Sequence, residues 1–445
     1  MSVVKDVLQE PATVFAKRVE LMGTEAAFGF GSRIVEVEQQ GERVIRANLG
    51  QPDFPLPAHI AEAVIGAIRD GQTTYCDPQG LPAFRTALAK KIAADRGLDE
   101  IDPERVVVYP GARPSIGFAQ QSYCEQGDEI IYPTPGYPLY ESYIPYVGAK
   151  PVPIHLREDH GFSLTTDELE PLLSNRTKLI YLNFPSNPTG GVASREQITA
   201  LAESILEHTP PHVRVYSDEA YEAIVFDGEK NFSIASVPGM ESRTIIASAV
   251  SKTYAWTGGR VGWAVYPTVA EAKVHRNLNI NYFASIPPYN QIGATVALES
   301  TASEPAIRVM CEAFERRRNL VVAGLNEVDG IHCQIPKGAF YAFPNIAGVL
   351  DGIGAIETFE RLPADLRSNT SPSTLFQLFL LHRYQVATMD RRSFCTLDSE
   401  GQHFLRLSVA TAASDLEEAV RRIATAAKDE TGFRAFLDSG ISLTL

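Results

Sequence analysis

Two cations in the stretch Arg243–Trp263, RTIIASAVSKTYAWTGGRVGW, carry residue types suited to group-transfer chemistry: Lys252 and Arg260. The run Thr244–Val250 is short, apolar and rich in Ile, Val and Ala, the pattern of a strand buried on both faces. Lys252 follows directly. Its aliphatic stem then lies in apolar surroundings, where desolvation disfavours the ammonium form and makes the amine a nucleophile. That placement suits a Schiff base to an aldehyde cofactor. The planar fork of Arg260 suits a phosphate. Taken alone, Lys252 is one of 40 basic residues, and capping a loop is the plainer reading of it. The elements that precede it change the weighting.

Val106–Tyr109 reads as a short strand that runs into Gly111-Ala112-Arg113-Pro114 and the apolar helix Ile116–Tyr123. A strand, a glycine turn and a helix N-terminus present backbone N–H groups and a positive dipole end to an anion. Glu129–Tyr132 reads as a strand ending in a rigid Pro-Gly loop that presents Tyr137, an aromatic able to stack on a flat ring. Lys178–Asn183 ends in Phe184-Pro185-Ser186-Asn187-Pro188-Thr189-Gly190, whose prolines hold Asn187 in a fixed direction. His212–Tyr216 ends in Ser217-Asp218-Glu219-Ala220-Tyr221. Strands recurring between helical patterns, with nearly unbroken apolar runs, predict a parallel sheet covered on both faces. Ligands of such sheets sit at the carboxyl ends of the strands. Gly111, Tyr137, Asn187, Asp218 and Lys252 are therefore expected around one ligand.

Upstream, a helical pattern runs through Thr13–Leu21, and Ile34–Gln39 and Val44–Leu49 frame Gly41. Asn48–Phe54 is a loop whose Gly50 permits close backbone approach. Pro57–Asp70 and Gly80–Ala94 read as helices, with Tyr75 in the loop between them. Beyond Ser300 the pattern changes. Pro305–Leu325 is a charged helix, and Gly330–Gln334 and Ala339–Phe343 are expected to pair antiparallel. Val349–Thr374 reads as a polar surface insertion. Thr374–Tyr384 follows as a helix, Gln385–Met389 and Phe404–Ser408 as strands. Ser414 is expected to cap the helix Ser414–Lys428, with Glu417 completing a capping box. The resulting division is an N-terminal segment (1–49) joined to a small α+β domain (301–445), and a large ligand-binding domain (50–300).

The formal net charge of −14 over 445 residues argues against nucleic acid and anionic membrane surfaces as partners. The five cysteines are odd in number and lack metal spacing, as in a reduced cytoplasmic protein. No CxxC, HExxH or paired histidines suggest a metal site, and no apolar run has the ~18 residues of a membrane span. The first residues do not read as a signal peptide.

Ser186-Asn187-Pro188-Thr189-Gly190, Ser217-Asp218-Glu219-Ala220-Tyr221, Ser251-Lys252 through Gly259-Arg260, and Leu405-Arg406-Leu407-Ser408 occur in that order and at those intervals. From Ile34 to Ile423 the chain resembles the class I/II aminotransferases, enzymes of fold type I that depend on pyridoxal 5′-phosphate. The resemblance implies a mostly parallel seven-stranded sheet sandwiched by helices, plus a smaller α+β domain. Lys252 would hold the cofactor as an aldimine and move the proton between substrate Cα and cofactor, by way of a pyridoxamine phosphate intermediate. Asp218 would pair with the pyridinium nitrogen. Asn187 and Tyr221 would donate to the ring 3-oxygen, and Tyr137 would stack on the ring. Gly111, Ala112, Arg113, Ser251 and Arg260 would hold the phosphate. Tyr75 would reach the phosphate of a neighbouring subunit, which implies a homodimer with shared active sites. Arg406 would bind the substrate α-carboxylate, with Gly50 and Asn187 beside it. The substrates would be an amino acid and a 2-oxo acid.

The chain departs from the family pattern at three places. Ala249 stands where a phosphate-binding serine is common, and Arg113 where a small or amide residue is usual. The loop before the arginine strand usually reads Pro-Gly-Ser-x-Phe-Gly; here it reads Asp390-Arg391-Arg392-Ser393-Phe394-Cys395. One expectation is that Arg391 or Arg392 binds an acidic substrate side chain; a solvated basic turn is the other. Two rival functions use the same scaffold. One is a different reaction of the same cofactor: a lyase, decarboxylase or oxidase. The other is a ligand-sensing half of a transcription regulator, for which ~30 residues ahead of Ile34 are too few to form a DNA-binding domain.

Overall fold

The computed structural model describes residues 14–23 and 26–444. Its strands, in chain order, are β1 (Ile45–Arg46), β2 (Val106–Tyr109), β3 (Glu129–Thr134), β4 (Lys150–His155), β5 (Thr177–Asn183) and β6 (Arg214–Asp218). They continue as β7 (Thr244–Ala249), β8 (Gly262–Val265), β9 (Tyr341–Ala342), β10 (Val386–Ala387), β11 (Met389–Asp390) and β12 (Leu405–Ser408). Seven of them form one sheet in the order β2-β8-β7-β6-β5-β3-β4. Successive residues of β2 alternate between two apolar clusters. Val107 and Tyr109 join one, Val106 and Val108 the other, so helices cover both faces. Each Val or Ile buried this way contributes roughly 1.5–3 kcal/mol.

The pairings are parallel except those of β8, which runs antiparallel to β2 and β7. The two strands absent from the sequence reading are instructive. β4 contains Pro151 and Pro153, which argue against a central strand; it lies at the sheet edge and pairs only with β3. β8 has only four residues behind a glycine-rich turn. Its reversed direction carries Arg260, at its N-terminal end, to the same sheet edge as the carboxyl ends of its neighbours.

The C-terminal third builds smaller sheets. β1 pairs parallel with β10, and β11-β12-β9 form an antiparallel trio. The helix Pro372–Tyr384 is buried from Pro372 through Leu381. Gly330–Gln334 and Ala339–Phe343 do not form the expected hairpin: only an isolated bridge joins His332 to Asn345, and β9 pairs with β12 instead. The intervening Lys337 and Gly338 N–H groups donate to the carbonyl of Gly190, drawing the connector onto the loop that carries Asn187. The expected polar insertion is largely helical (Ala347–Gly352, Ala355–Arg361 and Ala364–Arg367), because Val349, Leu350, Ile353 and Ala355 are needed in the core. Ser414 does not cap its helix. The helix begins at Ala413 behind Ala412, without a side-chain cap, and buries Leu416 and Ala419. Ile34–Gln39 belongs mostly to the helix Ala26–Glu38. Of the N-terminal helical pattern, a short 3-10 turn spans Lys17–Leu21, while Thr13 lies outside the described residues.

Beneath the sheet, Tyr109 and Tyr266 share a hydrogen bond of 2.6 Å, Tyr266 meets His275 Nδ1 at 2.8 Å, and His275 Nε2 meets Ser122 at 3.0 Å. Burial pushes the His275 pKa down to about 3. An unfolded histidine titrates near 6.5, so below that pH the unfolded chain binds the extra proton. Stability is therefore complete above about pH 6.5 and falls by up to about 1.4 kcal/mol per pH unit toward pH 3. Denaturant titrations at pH 7.5 and 5.0 should show a smaller acid loss for His275→Gln than for the parent; equal losses would contradict a neutral His275.

Candidate active site

The carboxyl edge of the large sheet gathers many, but not all, of the side chains singled out above. β7 ends at Ala249 and leads into the one-turn helix Val250–Thr253, which holds Lys252 half-buried. The Lys252 ammonium donates to the carbonyl of Gly50, and Nζ lies 5.8 Å from the ring centroids of both Tyr221 and Phe340. Asp218 ends β6 and is 6% exposed. Its carboxylate accepts from the Tyr140 hydroxyl at 2.7 Å and from the Ala220 N–H at 3.2 Å. Burial raises the Asp218 pKa, opposed by those hydrogen bonds and by the charge of Lys252. A carboxylate buried among neutral donors is held ionised by a cationic partner.

Asn187 follows β5, and Asn183 Oδ1 accepts its backbone N–H at 3.0 Å. Asn187 Oδ1 accepts from Arg406 Nη1 at 2.9 Å, while Arg406 Nη2 donates to the Asn48 carbonyl at 2.5 Å. The Arg406 guanidinium sits between aromatic faces, 4.5 Å from the Tyr341 centroid and 4.7 Å from that of Phe394. Its Nε is buried with no acceptor among the described residues. Such a cation, desolvated and oriented, is prepared for a carboxylate. Gly50 is required here: a Cβ on it would lie 2.4 Å from the Tyr341 hydroxyl.

A second group lies at the end of β2. Gly111 has φ +83°, and a Cβ there would meet Arg260 Nη2 at 2.2 Å. A Cβ on Gly262 would meet the Ala112 backbone nitrogen at 2.3 Å, so this corner admits backbone only. The helix Arg113–Tyr123 begins at this corner. Arg260 donates to the carbonyls of Thr257 and Pro110, each at 3.0 Å. Burial and the neighbouring charge of Arg113 both lower its pKa. Two guanidiniums beside a helix N-terminus make a seat for a doubly charged anion. Arg113 lies 5.8 Å from the Tyr137 ring, and Tyr137 packs edge-on at 5.7 Å against Tyr140, the residue that holds Asp218. This chain of contacts joins the anion corner to the carboxylate. The donor set therefore suits pyridoxal 5′-phosphate: an anion seat, an aromatic face, a buried carboxylate and an amine.

Ser251 shares the turn of Lys252 and is half-buried. Ser248 lies on the other side of Ala249, and its hydroxyl reaches the Glu219 carbonyl at 3.2 Å and Glu222 at 3.3 Å. Tyr75 stands apart from both groups, 87% exposed. Tyr140, Tyr341, Phe394 and Asn48 were not singled out from the sequence. Their aromatic or amide side chains carry no local signal that separates a site from a core.

Arg391 is 1% exposed and committed to protein acceptors. Nε donates to Gln402 at 2.7 Å, Nη1 to the carbonyls of Phe394 and Cys395 at 2.9 and 2.7 Å, and Nη2 to Thr134 at 2.9 Å. Arg392 donates to the carbonyls of Thr370 and Ser368. The expectation that either faces an acidic substrate gives way to a structural role: their donors tie the loop to β3 and to the residues before the helix Pro372–Tyr384. Arg391→Ala should cost about 3 kcal/mol of stability by leaving buried acceptors unsatisfied. It should leave the ratio of kcat/KM for acidic over neutral donors unchanged; a collapse of that ratio in a still-folded variant would restore the substrate role.

The architecture is that of an α/β enzyme with convergent charged and aromatic side chains at the carboxyl edge of a mostly parallel sheet. Residues 42–423 match the family model for aminotransferase class I and II. The aspartate aminotransferase of Rhizobium meliloti (strain 1021) is 34% identical over 414 residues, 92% of this chain and 95% of that protein. The arginine–pyruvate transaminase of Pseudomonas aeruginosa is 33% identical over 418 residues, 94% and 98% of the two chains. A crystal structure of the Rhizobium meliloti aspartate aminotransferase superposes with a TM-score of 0.82 at 33% identity, covering 93% of this chain and 98% of that one. The chain belongs to the class I and II aminotransferases, and it is a transaminase. No helix among the described residues is long and apolar enough to cross a membrane.

Proposed function

We propose that this transaminase works with pyridoxal 5′-phosphate at the sheet edge, and that the residues gathered there hold it. When bound, the cofactor supplies an aldehyde that takes up the amino group and a ring that accepts the electrons of the substrate Cα–H bond. Gly111, Ala112, Arg113, Ser251 and Arg260 hold the phosphate. Tyr137 covers a ring face, and Asp218 pairs with the ring nitrogen and keeps it protonated. Asn187 and Tyr221 donate to the ring 3-oxygen. Arg406, with Gly50 and Asn187, binds the α-carboxylate and so orients the substrate Cα–H bond. Lys252 Nζ takes the proton from Cα as general base and returns it as general acid. The reading is supported above all by the convergence of Lys252, Asp218 and Arg406 from separate strands onto one edge, with the Arg113/Arg260 anion seat joined to it through Tyr137 and Tyr140.

The same reading divides the chain into a segment 1–49 joined to a small domain 301–445, and a large domain 50–300; the pairing of β1 with β10 supports it. Tyr75, exposed in the single chain, completes the phosphate seat of a second copy in a cytoplasmic homodimer with shared active sites. Relatives named for aspartate and for arginine match almost equally well, so the donor is found by trial. The test records the visible spectrum of the purified protein with single amino acids and no oxo acid. A coloured protein that bleaches with one donor and recovers with a 2-oxo acid is expected. A colourless protein that does not take up pyridoxal 5′-phosphate would reject the assignment.

A further inference from the structure

The hydroxyls of Tyr221 and Tyr341 lie 2.6 Å apart, both in buried residues. A hydroxyl has one proton to donate and two lone pairs. If Tyr221 gives its proton to Tyr341, none is left for the ring 3-oxygen. If Tyr341 is the donor, the proton of Tyr221 is available for that oxygen. We propose that Tyr341 is a positioning residue that donates to the Tyr221 hydroxyl and so directs the Tyr221 proton at the cofactor ring oxygen. The inference rests on the role given to Tyr221 above.

Tyr341 is well placed to hold this direction. It lies on β9, paired with Ser408 of β12, two residues from Arg406. The Arg406 guanidinium covers its ring at 4.5 Å, and its hydroxyl fits against Gly50 so closely that a Cβ there would lie 2.4 Å away. One side chain thus touches Tyr221, proposed for the ring oxygen, and Arg406 and Gly50, two of the three residues proposed for the α-carboxylate. The charged and titratable groups facing Tyr221 are Tyr341 from β9, Arg406 from β12, Asp218 from β6 and Lys252 from the turn after β7. Arg406 favours the ionised phenol, and Asp218 and Tyr341 disfavour it. Burial raises the Tyr221 pKa well above its usual value, so its hydroxyl keeps its proton and acts by hydrogen bonding.

An accepted hydrogen bond polarises Tyr221 and makes it a stronger donor. Stronger donation stabilises the anionic ring oxygen, and the chromophore then loses its shared proton at lower pH. The experiment is a pH titration of the visible absorption of the cofactor-loaded protein without substrate. Tyr341→Phe should raise the midpoint by about half a unit to one unit, the equivalent of one net hydrogen bond. Tyr221→Phe should raise it at least as far. Gly50→Ala, which displaces the Tyr341 hydroxyl while keeping both tyrosines, should shift it in the same direction. Tyr341→Leu should match the midpoint of Tyr341→Phe and add a rise in KM for the amino donor, because only the leucine variant uncovers Arg406. An unmoved midpoint in both Tyr341→Phe and Gly50→Ala, with Tyr221→Phe shifted, overturns the relay and leaves the role of Tyr221 standing. An unmoved midpoint in Tyr221→Phe overturns that role and the relay together.

Discussion

Lys252→Ala should lower kcat for transamination by at least about 10⁴-fold, the upper end of what one positioned proton-transfer group supplies. Each half-reaction needs a proton taken from Cα and returned elsewhere, and Lys252 is the amine at the carboxyl edge of β7 proposed for that transfer. Its replacement leaves the Gly50 carbonyl without its ammonium donor and removes one charge that favours ionised Asp218. Two measurements separate chemistry from folding. The thermal midpoint should change little, while single-turnover bleaching by the donor should become slower than hand mixing. A small primary amine added to the variant should restore part of the rate, because the missing function is a base of the right size. A variant within tenfold of the parent would remove Lys252 from the mechanism.

Asp218→Asn should reduce kcat/KM by about 10²- to 10⁴-fold, the equivalent of the 3–5 kcal/mol lost when one member of a buried ion pair is removed. Asparagine fits the space, and Tyr140 can reverse its hydrogen bond toward an amide N–H. The substitution therefore removes the charge and little else. Cofactor-free protein gives the complementary prediction. Burial raises the Asp218 pKa, so the folded chain holds a proton that the unfolded chain has released. That contribution to stability is complete below the unfolded pKa near 3.9 and is lost as pH rises through the folded value. At neutral pH cofactor-free Asp218→Asn should be at least as stable as the parent, and less stable than the parent once both are loaded with cofactor. Denaturant midpoints with and without pyridoxal 5′-phosphate test this. A loss of stability in both states would mean that Asp218 is structural.

Much of the site was legible in the sequence because a two-face-buried parallel sheet writes a simple code. β2, β3, β5, β6 and β7 are short apolar runs, and the polar residue after each one lies at the same edge. Gly111, Tyr137, Asn187, Asp218 and Lys252 follow from that rule alone. The strands with prolines or too few residues, β4 and β8, escaped it. Local propensity does not register that an edge position tolerates Pro151 and Pro153, or that four residues suffice between β2 and β7. Ser414 had a good local capping pattern, yet burial of Leu416 and Ala419 set the helix start elsewhere.

The tertiary structure decided what distance along the chain conceals. Tyr140 lies 78 residues from Asp218, and Tyr341 lies 120 from Tyr221. Each is a tyrosine in an apolar context, and only the packed fold distinguishes a hydroxyl aimed at a site from one satisfied in a core. Arg391 shows the converse. Its type and place suggested a substrate contact, but folding surrounds it with carbonyls and a threonine hydroxyl that satisfy its donors. The sequence alone determined which strands end at the reacting edge, because that depends on local periodicity. Which neutral side chains orient the charged ones was decided by the tertiary fold, because hydrogen-bond partners are chosen by contacts between distant segments.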